Sequence, residues 1–405
     1  MTATSEPLQI KSEAQAGGLV GDLVKLFRRN VQTYTIILAL LAIWVFFAIL
    51  TDGAYLSRQN FSNLFRQMVV TALLGIGMVL VIVTGNIDLS VGKLAGFVSV
   101  VVAFFQAKVW TTYLPDQGVL AASLSIFIGL CVGALAGVVQ GYIIAYLKVP
   151  AFIVTLGGMF VFNGLLLAVT AGKTIPANQP ALSVIGQGYL PQWAGWVIAA
   201  LVVAYLYFNM VGSRRRKRKY GLELASLPMD LMVTTFLSLL MVAYVYIVNK
   251  YNGVQVPVLL LGIFTVILSY MSTNTRFGRY CYAMGGNTEA ARLSGVSIRK
   301  LVFLVFVLMG LMCGVAGVVL ASYVGYGTIA AGQGYELDAI ASAILGGTSP
   351  LGGVGTVFGA LIGALIMSSL TTGLQLLNVQ PAWQYLLKGL VLVLAVLADV
   401  AFKKK

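Results

Sequence analysis

Apolar runs of about 20 residues recur along the whole chain, separated by short polar segments. Twelve such runs can be distinguished, at 31–50, 67–84, 90–110, 118–147, 150–171, 193–211, 230–248, 254–271, 301–322, 335–349, 352–374 and 381–401. A bilayer core requires about 20 apolar residues per helical span, and backbone groups inside it must bond within the segment. The sequence therefore predicts an all-α, polytopic membrane helix bundle of about 10–12 transmembrane helices. Gly and Pro interrupt several runs, which indicates broken or re-entrant segments.

The composition excludes most other classes of protein. Apolar residues make up 59% of the 405 residues and charged residues 9%, against about 25% charged in a soluble domain. Such a chain cannot cover the surface of a soluble enzyme and is too apolar for disorder. Histidine is absent, and the three cysteines have neither a zinc nor a disulfide spacing. We therefore expect no catalytic residues and no metal site, and nucleic-acid binding is a poor explanation of the net charge of +14.

The positions of the basic residues indicate one orientation in the membrane. If the N-terminus is cytoplasmic and the spans alternate, 19 of the 26 Lys and Arg residues fall in cytoplasmic segments, as the positive-inside rule predicts. Those segments include the N-terminal tail 1–30, the basic loop 212–229, the loop 272–300 and the C-terminus. The transmembrane domain is then 31–402, and its basic rim faces anionic membrane lipid. Arg58 and Arg66 fall outside, where an amphipathic helix on the outer surface would accommodate them.

Glycines recur every four residues in two of the predicted spans. One strip comprises Gly129, Gly133, Gly137 and Gly141, and the other comprises Gly355, Gly359 and Gly363. Spacing of four places each set on one helix face, where backbones approach closely in a bilayer. The strips pack helices together within one subunit or form a seam between two subunits, and the sequence leaves both readings open.

Polar residues interrupt the apolar pattern near residue 88. Asn86, Asp88 and Ser90 lie between two runs that are only a few residues apart, and Gly85 and Gly92 permit unusual backbone angles there. Irregular backbone at membrane depth must be buried in protein or line a cavity. These residues are candidates for a substrate pathway. A structural role, in which Asp88 caps the following helix, competes with that reading.

A second polar segment contains Tyr335, Glu336 and Asp338. Two carboxylates two residues apart on a helix point in different directions, so they do not form a catalytic dyad by spacing. Glu336 suits the first turn of a half-helix, where the dipole favours a negative charge. Lining of a substrate pathway and helix capping again compete. The small number of intramembrane acids disfavours an ion-coupled secondary transporter, which uses such groups as relays.

The cytoplasmic loop 272–300 contains a short helix with its own start and stop signals. Gly285 and Gly286 break the preceding helix, Asn287 can act as N-cap, Glu289 lies in the first turn, and Gly295 ends the segment. A helix of two turns is too short to be stable alone. It must dock on the membrane interface or on a cytoplasmic partner. Gly172-Lys173-Thr174 lacks the earlier Gly of a phosphate-binding loop, so we expect no nucleotide site on this chain.

Three segments resemble the sugar permeases of bacterial ABC importers in the ribose, xylose and galactose branch. Residues 85–92 are similar to the GGIDLSVG motif of that family, with Asn86 in place of the second Gly. Residues 285–295 resemble its GGNxxAARLSGI loop, and residues 335–349 resemble its YELDAIA segment followed by GGTS. The pair of spans around the basic loop, at roughly 193–250, makes the chain longer than the simplest ribose-type permease. In this length the chain resembles xylose-type or multiple-sugar permeases.

The resemblance implies a transport subunit of the bacterial inner membrane that moves a monosaccharide by alternating access. It implies a homodimer, a periplasmic sugar-binding protein that delivers substrate, and a cytoplasmic ATPase with two nucleotide-binding halves. ATP and Mg would bind that ATPase, with no cofactor on this chain. The loop residues Gly285, Gly286, Asn287, Glu289, Arg292 and Gly295 would then contact the ATPase. An ABC permease for branched-chain amino acids or nucleosides is the alternative, and an ion-coupled carrier is a more distant one.

Overall fold

The computed structural model describes residues 31–222 and 226–403, and nearly all of them are helical. The predicted tail 1–30 lies outside the described residues. The helices are α1 Val31–Leu50, α2 Arg58–Val83, α3 Val91–Phe104, α4 Trp110–Tyr113, α5 Gly118–Ala145, α6 Ala151–Thr170, α7 Pro180–Gln187, α8 Gln192–Lys219, α9 Leu227–Asn249, α10 Val256–Asn274, α11 Arg276–Gly286, α12 Thr288–Leu293, α13 Ile298–Val324, α14 Tyr335–Leu345, α15 Val357–Leu376 and α16 Pro381–Lys403. A 3₁₀ turn at Ala54–Leu56 precedes α2, and a π turn at Phe105–Val109 joins α3 to α4. Strands β1 Ile175–Pro176 and β2 Tyr326–Gly327 pair antiparallel.

The predicted fold class is confirmed. Within the described ranges, nine helices are long and apolar enough to cross a bilayer, and shorter apolar helices occupy Ile36–Leu50 and Pro381–Leu394. The predicted run 335–349 becomes α14, whose 11 residues extend only about 17 Å, roughly half a bilayer core. The bundle is therefore polytopic and contains a half-helix, as the interrupted runs indicated.

Helices α2 and α13 form the centre of the bundle and are the most completely buried of its long helices. Helix α13 packs along α5, α3 and α2, while α14 and α15 pack against the other side of α2. Arg58 and Arg66 belong to α2 itself, so the separate surface helix expected for them is wrong. Ser57 accepts a hydrogen bond from the Asn60 backbone and starts α2 earlier than the apolar pattern suggested. The Arg66 guanidinium lies 5.4 Å from the centroid of the Tyr323 ring, which gives that charge a partner.

Both glycine strips pack helices within this one chain. An added Cβ on Gly133 would lie 2.5 Å from the Gly310 carbonyl oxygen, and one on Gly137 would lie 2.5 Å from that of Phe306. The α5 strip therefore brings its backbone against α13. The second strip is only partly as predicted, because α15 begins at Val357 with Thr356 as its N-cap and Gly355 precedes the helix. Within α15, a Cβ on Gly359 would lie 2.0 Å from the oxygen of Gly346, and one on Gly363 would lie 2.0 Å from that of Ser342. That strip holds α15 against α14 and the loop that follows it.

The two ends of the bundle differ in charge. One end, here called the basic end, carries the basic run 214–219 at the end of α8. Helices α11 and α12, which follow α10 in the chain, lie at the same end. Helices α8 and α9 form a hairpin that joins the rest of the bundle at the opposite end, where Tyr244 donates a hydrogen bond to Gln255 and Gln255 donates to Ser62. Beyond Ala199 no residue of α8 is buried.

Candidate functional site

A polar cavity lies between α2, α14, α15 and α16, in the half of the bundle opposite the basic end. Its volume is about 210 Å³, smaller than the 300–1,000 Å³ that accommodates drug-sized ligands. The lining is rich in amides, hydroxyls and phenols, from Gln67, Thr71, Gln333, Tyr335, Ser368, Thr371, Gln375, Gln384 and Tyr385. The Gln67 amide donates to the Gln375 side-chain oxygen over 3.2 Å and accepts a hydrogen bond from Thr372 over 3.3 Å. A small polar solute fits this lining.

An ion pair between Asp338 and Lys388 borders the cavity. The Lys388 ammonium donates to Asp338 Oδ2 over 2.9 Å, and the side chains of Asp338 and Lys388 are 10% and 18% exposed. The other carboxylate oxygen, Oδ1, is buried and has no hydrogen-bond partner among the described residues. An ion pair removed from water needs further hydrogen bonds to offset its desolvation. The site is thus short of one donor.

Glu336 points away from this cavity. Its carboxyl packs so closely on the start of α3 that an added Cβ on Gly92 would lie 2.1 Å from Oε2. That oxygen is also buried without a hydrogen-bond partner in the part of the chain the structure describes. Of the three candidates Tyr335, Glu336 and Asp338, the structure brings Tyr335 and Asp338 to the cavity and places Glu336 between α14 and α3.

The break between α2 and α3 is closed by a small buried network. Asp88 is 2% exposed, and its Oδ1 accepts from the Ser90 backbone N–H over 2.8 Å and from the Ser90 hydroxyl over 2.7 Å. Gln140 of α5 donates to the same hydroxyl over 2.9 Å. Asp88 thereby stabilises the turn that leads into α3, since Ser90 is the N-cap residue and its side chain makes no capping bond.

Asn86 lies apart from that network, in a cleft of about 520 Å³ at the basic end. The cleft is also lined by Lys148, Arg292 and Arg299. The six residues predicted for the substrate pathway therefore fall in four different places. They are the cavity (Tyr335 and Asp338), the buried network (Asp88 and Ser90), the contact between α14 and α3 (Glu336) and the cleft (Asn86). They lie along the height of the bundle rather than in one pocket.

Helix α12 projects from the basic end with its predicted boundaries. Asn287 Oδ1 accepts a hydrogen bond from the Ala290 backbone over 2.9 Å, which makes Asn287 the N-cap. Gly295 ends the segment with φ +83°. Arg292 and Glu289 pair at 2.5 Å, and this bond lowers the pKa of the exposed Glu289 carboxyl. Leu293 is 75% exposed, which leaves an apolar side chain available to another surface.

Helix α11 carries α12 and is fixed tightly to the bundle. An added Cβ on Gly285 would lie 1.7 Å from the Val83 carbonyl oxygen and 2.4 Å from the Gly353 nitrogen. That same Val83 oxygen accepts a hydrogen bond from the Gly353 N–H over 2.9 Å. The Tyr282 hydroxyl donates to the Gly355 oxygen over 2.8 Å. Helix α11 therefore contacts both the end of α2 and the loop after α14. Since α12 follows α11 and the polar cavity lies at the start of α14, this contact connects α12 with the cavity.

Several of these features were missed or misjudged from sequence. Lys388 lies within the predicted span 381–401, where a charge signals a buried partner, but the sequence does not identify that partner as Asp338. Gln67 and Gln375 gave no local signal, because they meet only in the folded bundle. Gly285 and Gly286 were treated alike, yet an added Cβ on Gly286 would meet no described atom within 4 Å. Among the described residues, no three His, Cys, Asp or Glu side chains lie together as metal ligands would.

Comparison with known proteins identifies related permeases. Residues 60–396 match a family model described as branched-chain amino acid transport system / permease component. The chain is 41% identical over 403 residues to the xylose transport system permease protein XylH of Escherichia coli K12, covering 99% of each chain. It is 40% identical over 385 residues to XylH of Haemophilus influenzae, covering 95% of this chain and 100% of that one. The galactose/methyl galactoside import permease protein MglC of Salmonella typhimurium is 32% identical over 372 residues, or 90% of this chain and 92% of MglC. No solved structure matches.

Proposed function

Because the chain belongs to the branched-chain amino acid transport system / permease component family, we propose that it is the transmembrane subunit of an ATP-driven (ABC) importer. Its substrate is a monosaccharide, xylose or a related pentose or hexose. The substrate proposal is supported by the xylose permeases to which the chain is similar over nearly its full length. The chain is a transport subunit rather than an enzyme, and ATP with Mg binds a separate ATPase.

The observation that carries this proposal is the exposed helix α12 and its attachment. A helix of six residues cannot be stable on its own, and its side chains Glu289, Arg292 and Leu293 are all largely exposed. Helix α11, which precedes α12, contacts the end of α2 closely at Gly285. A displacement of α12 would therefore move α11 against the bundle. A cytoplasmic ATPase with two nucleotide-binding halves would dock here and drive alternating access.

We orient the bundle with its basic end in the cytoplasm of a bacterium and its spans in the inner membrane. This orientation follows the positive-inside rule and places both termini in the cytoplasm. The polar cavity then opens toward the periplasm, where a sugar-binding protein would deliver substrate. Two copies of the permease would form the pathway for one ATPase with two halves.

Within this pathway the predicted residues act at successive levels. Substrate first meets Tyr335 and Asp338 at the periplasmic cavity. The Asp88–Ser90 turn and Glu336 hold the ends of α3 and α14 that flank the passage. Asn86 lies in the cytoplasmic cleft, at the exit. The hydrogen bonds of Asp88 to Ser90 support a positioning role for Asp88 rather than direct contact with substrate.

Uptake by whole cells tests the proposed function. Cells that lack their own xylose permease would express this chain together with its ATPase and binding protein, and accumulation of labelled xylose would be measured. We expect uptake that stops when the ATPase is inactivated. A branched-chain amino acid is the second candidate, because the family description names that substrate. Uptake of labelled leucine but not of xylose would replace the sugar proposal with that one.

A further inference from the structure

We propose that the cavity beside Asp338 and Lys388 is a sugar-binding site of the permease itself, so that this subunit selects its substrate in addition to conducting it. The inference rests on the proposed function, since it takes the substrate to be a monosaccharide. It deepens that function by assigning recognition to named side chains of this chain. Without it, the binding protein alone would choose the sugar.

The lining matches the chemistry of a polyol. Each Gln amide offers two N–H donors and a carbonyl acceptor, and each Thr, Ser or Tyr hydroxyl can donate and accept. Gln67, Gln375, Thr371 and Ser368 therefore present mixed donors and acceptors around one cavity. A sugar ring displays the same mixture in its hydroxyl groups. A branched-chain amino acid side chain packs on aliphatic groups, whereas the apolar surface of this lining comes from Pro381 and the rings of Tyr335 and Tyr385.

The ion pair supplies an unfilled position for one hydroxyl. Asp338 Oδ1 is buried without a hydrogen-bond partner among the described residues, whereas its Oδ2 is held by Lys388. A carboxylate oxygen left without a donor is unfavourable, and a sugar hydroxyl entering the cavity would donate to it. The Lys388 ammonium has three N–H groups, so it can donate to a second sugar oxygen while it keeps its bond to Asp338.

The size and position of the cavity agree with this assignment. A volume of about 210 Å³ limits the occupant to a small solute, which suits a monosaccharide better than an oligosaccharide. The cavity lies at the start of α14, and the loop after α14 contacts Gly285 of α11. A bound sugar would therefore contact the same half-helix that leads to the docking surface at the basic end.

Equilibrium binding of labelled D-xylose to the purified full-length permease in lipid nanodiscs, without ATPase or binding protein, tests the proposal. We expect saturable binding with a dissociation constant of about 1 mM, because a transported solute must bind weakly enough to leave. Asp338→Asn should weaken binding by about tenfold or more, since the charged acceptor is replaced by a neutral amide oxygen that accepts a weaker hydrogen bond and no longer pairs with the charge of Lys388. Unlabelled leucine should not compete.

Matched variants separate recognition from folding. Lys250→Met removes a lysine outside the cavity and should bind as the wild type does. If Asp338→Asn does not yield a monodisperse protein, Gln67→Leu, which changes only an amide of the lining, takes its place and should weaken binding severalfold. Unsaturable xylose binding by the wild type, or equal binding by wild type, Asp338→Asn and Gln67→Leu, would overturn the proposal. ATP-dependent xylose uptake together with such a result would leave the proposed function standing, whereas loss of uptake would refute that function.

Discussion

Replacing Gly285 with Ala should uncouple ATP hydrolysis from transport. The added Cβ would lie 1.7 Å from the Val83 carbonyl oxygen, half the 3.4 Å at which ordinary contact begins. Neither neighbour can yield cheaply, because both are backbone and the Val83 oxygen is already bonded to the Gly353 N–H. Overpacking of this kind costs about 1–3 kcal/mol. Helix α11 must therefore move away from α2 and from the loop after α14.

The magnitude of the coupling loss follows from that cost. Strain of about 1–3 kcal/mol that disfavours the docked position of α11 lowers the population of that position by a factor of about 5–150. We expect the number of sugar molecules transported per ATP to fall at least about fivefold in Gly285→Ala, while basal ATP hydrolysis continues. The assay measures both rates on the same proteoliposomes, which contain the permease, the ATPase and the binding protein.

Gly262→Ala is the matched control for this experiment. The substitution is chemically identical and lies in α10, outside the docking loop, where its Cβ would meet no described atom within 4 Å. Ala also favours a helix over Gly by about 1 kcal/mol, so this variant should couple normally. Equal coupling in the two variants, with both complexes fully assembled, would refute the argument that force passes through the Gly285 contact.

Three further predictions concern stability and assembly. Lys388→Met or Asp338→Leu alone should destabilise the permease by about 3–5 kcal/mol, and the double variant by less than either, in a double-mutant cycle of thermal unfolding; additive losses would show that the pair is not coupled. Asn287→Ala removes the N-cap of α12, which should destabilise that helix by about 0.5–2 kcal/mol and weaken ATPase binding severalfold. Asn287→Ser keeps a capping side chain and should retain binding. Identical ATPase affinities of the Ala and Ser variants would mean that α12 needs no preformed cap. Gly133→Ala should destabilise the α5–α13 contact by about 1–3 kcal/mol, while Gly157→Ala, with no described atom within 4 Å of its Cβ, should not; equal unfolding temperatures would contradict the packing argument.

The features that sequence predicted well are local ones. The apolar runs fix the order of the spans, because a bilayer requires about 20 apolar residues in each. The boundaries of α12 follow from Asn287 and Gly295, whose roles depend only on neighbouring backbone. The short run at 335–349 correctly indicated a half-helix. Each of these depends on residues close together in the chain.

The features that sequence missed depend on distant residues. Asp338 and Lys388 are 50 positions apart, and Gln67 and Gln375 are 308 apart, so the composition of the cavity could not be assembled without the fold. The difference between Gly285 and Gly286 likewise comes from Val83 and Gly353, which approach one of them only. Polarity marked Asn86, Asp88 and Glu336 as one group, but it carried no information on which helix faces which.

Transport by the purified complex in proteoliposomes under two energy sources distinguishes an ATP-driven importer from an ion-coupled carrier. One sample has ATP on the side of the ATPase and no ion gradient, and the other has a proton or sodium gradient and no ATP. Labelled xylose should accumulate only with ATP and only when the binding protein is present on the opposite side. Accumulation driven by the ion gradient in the absence of the ATPase would contradict the ATP-driven function.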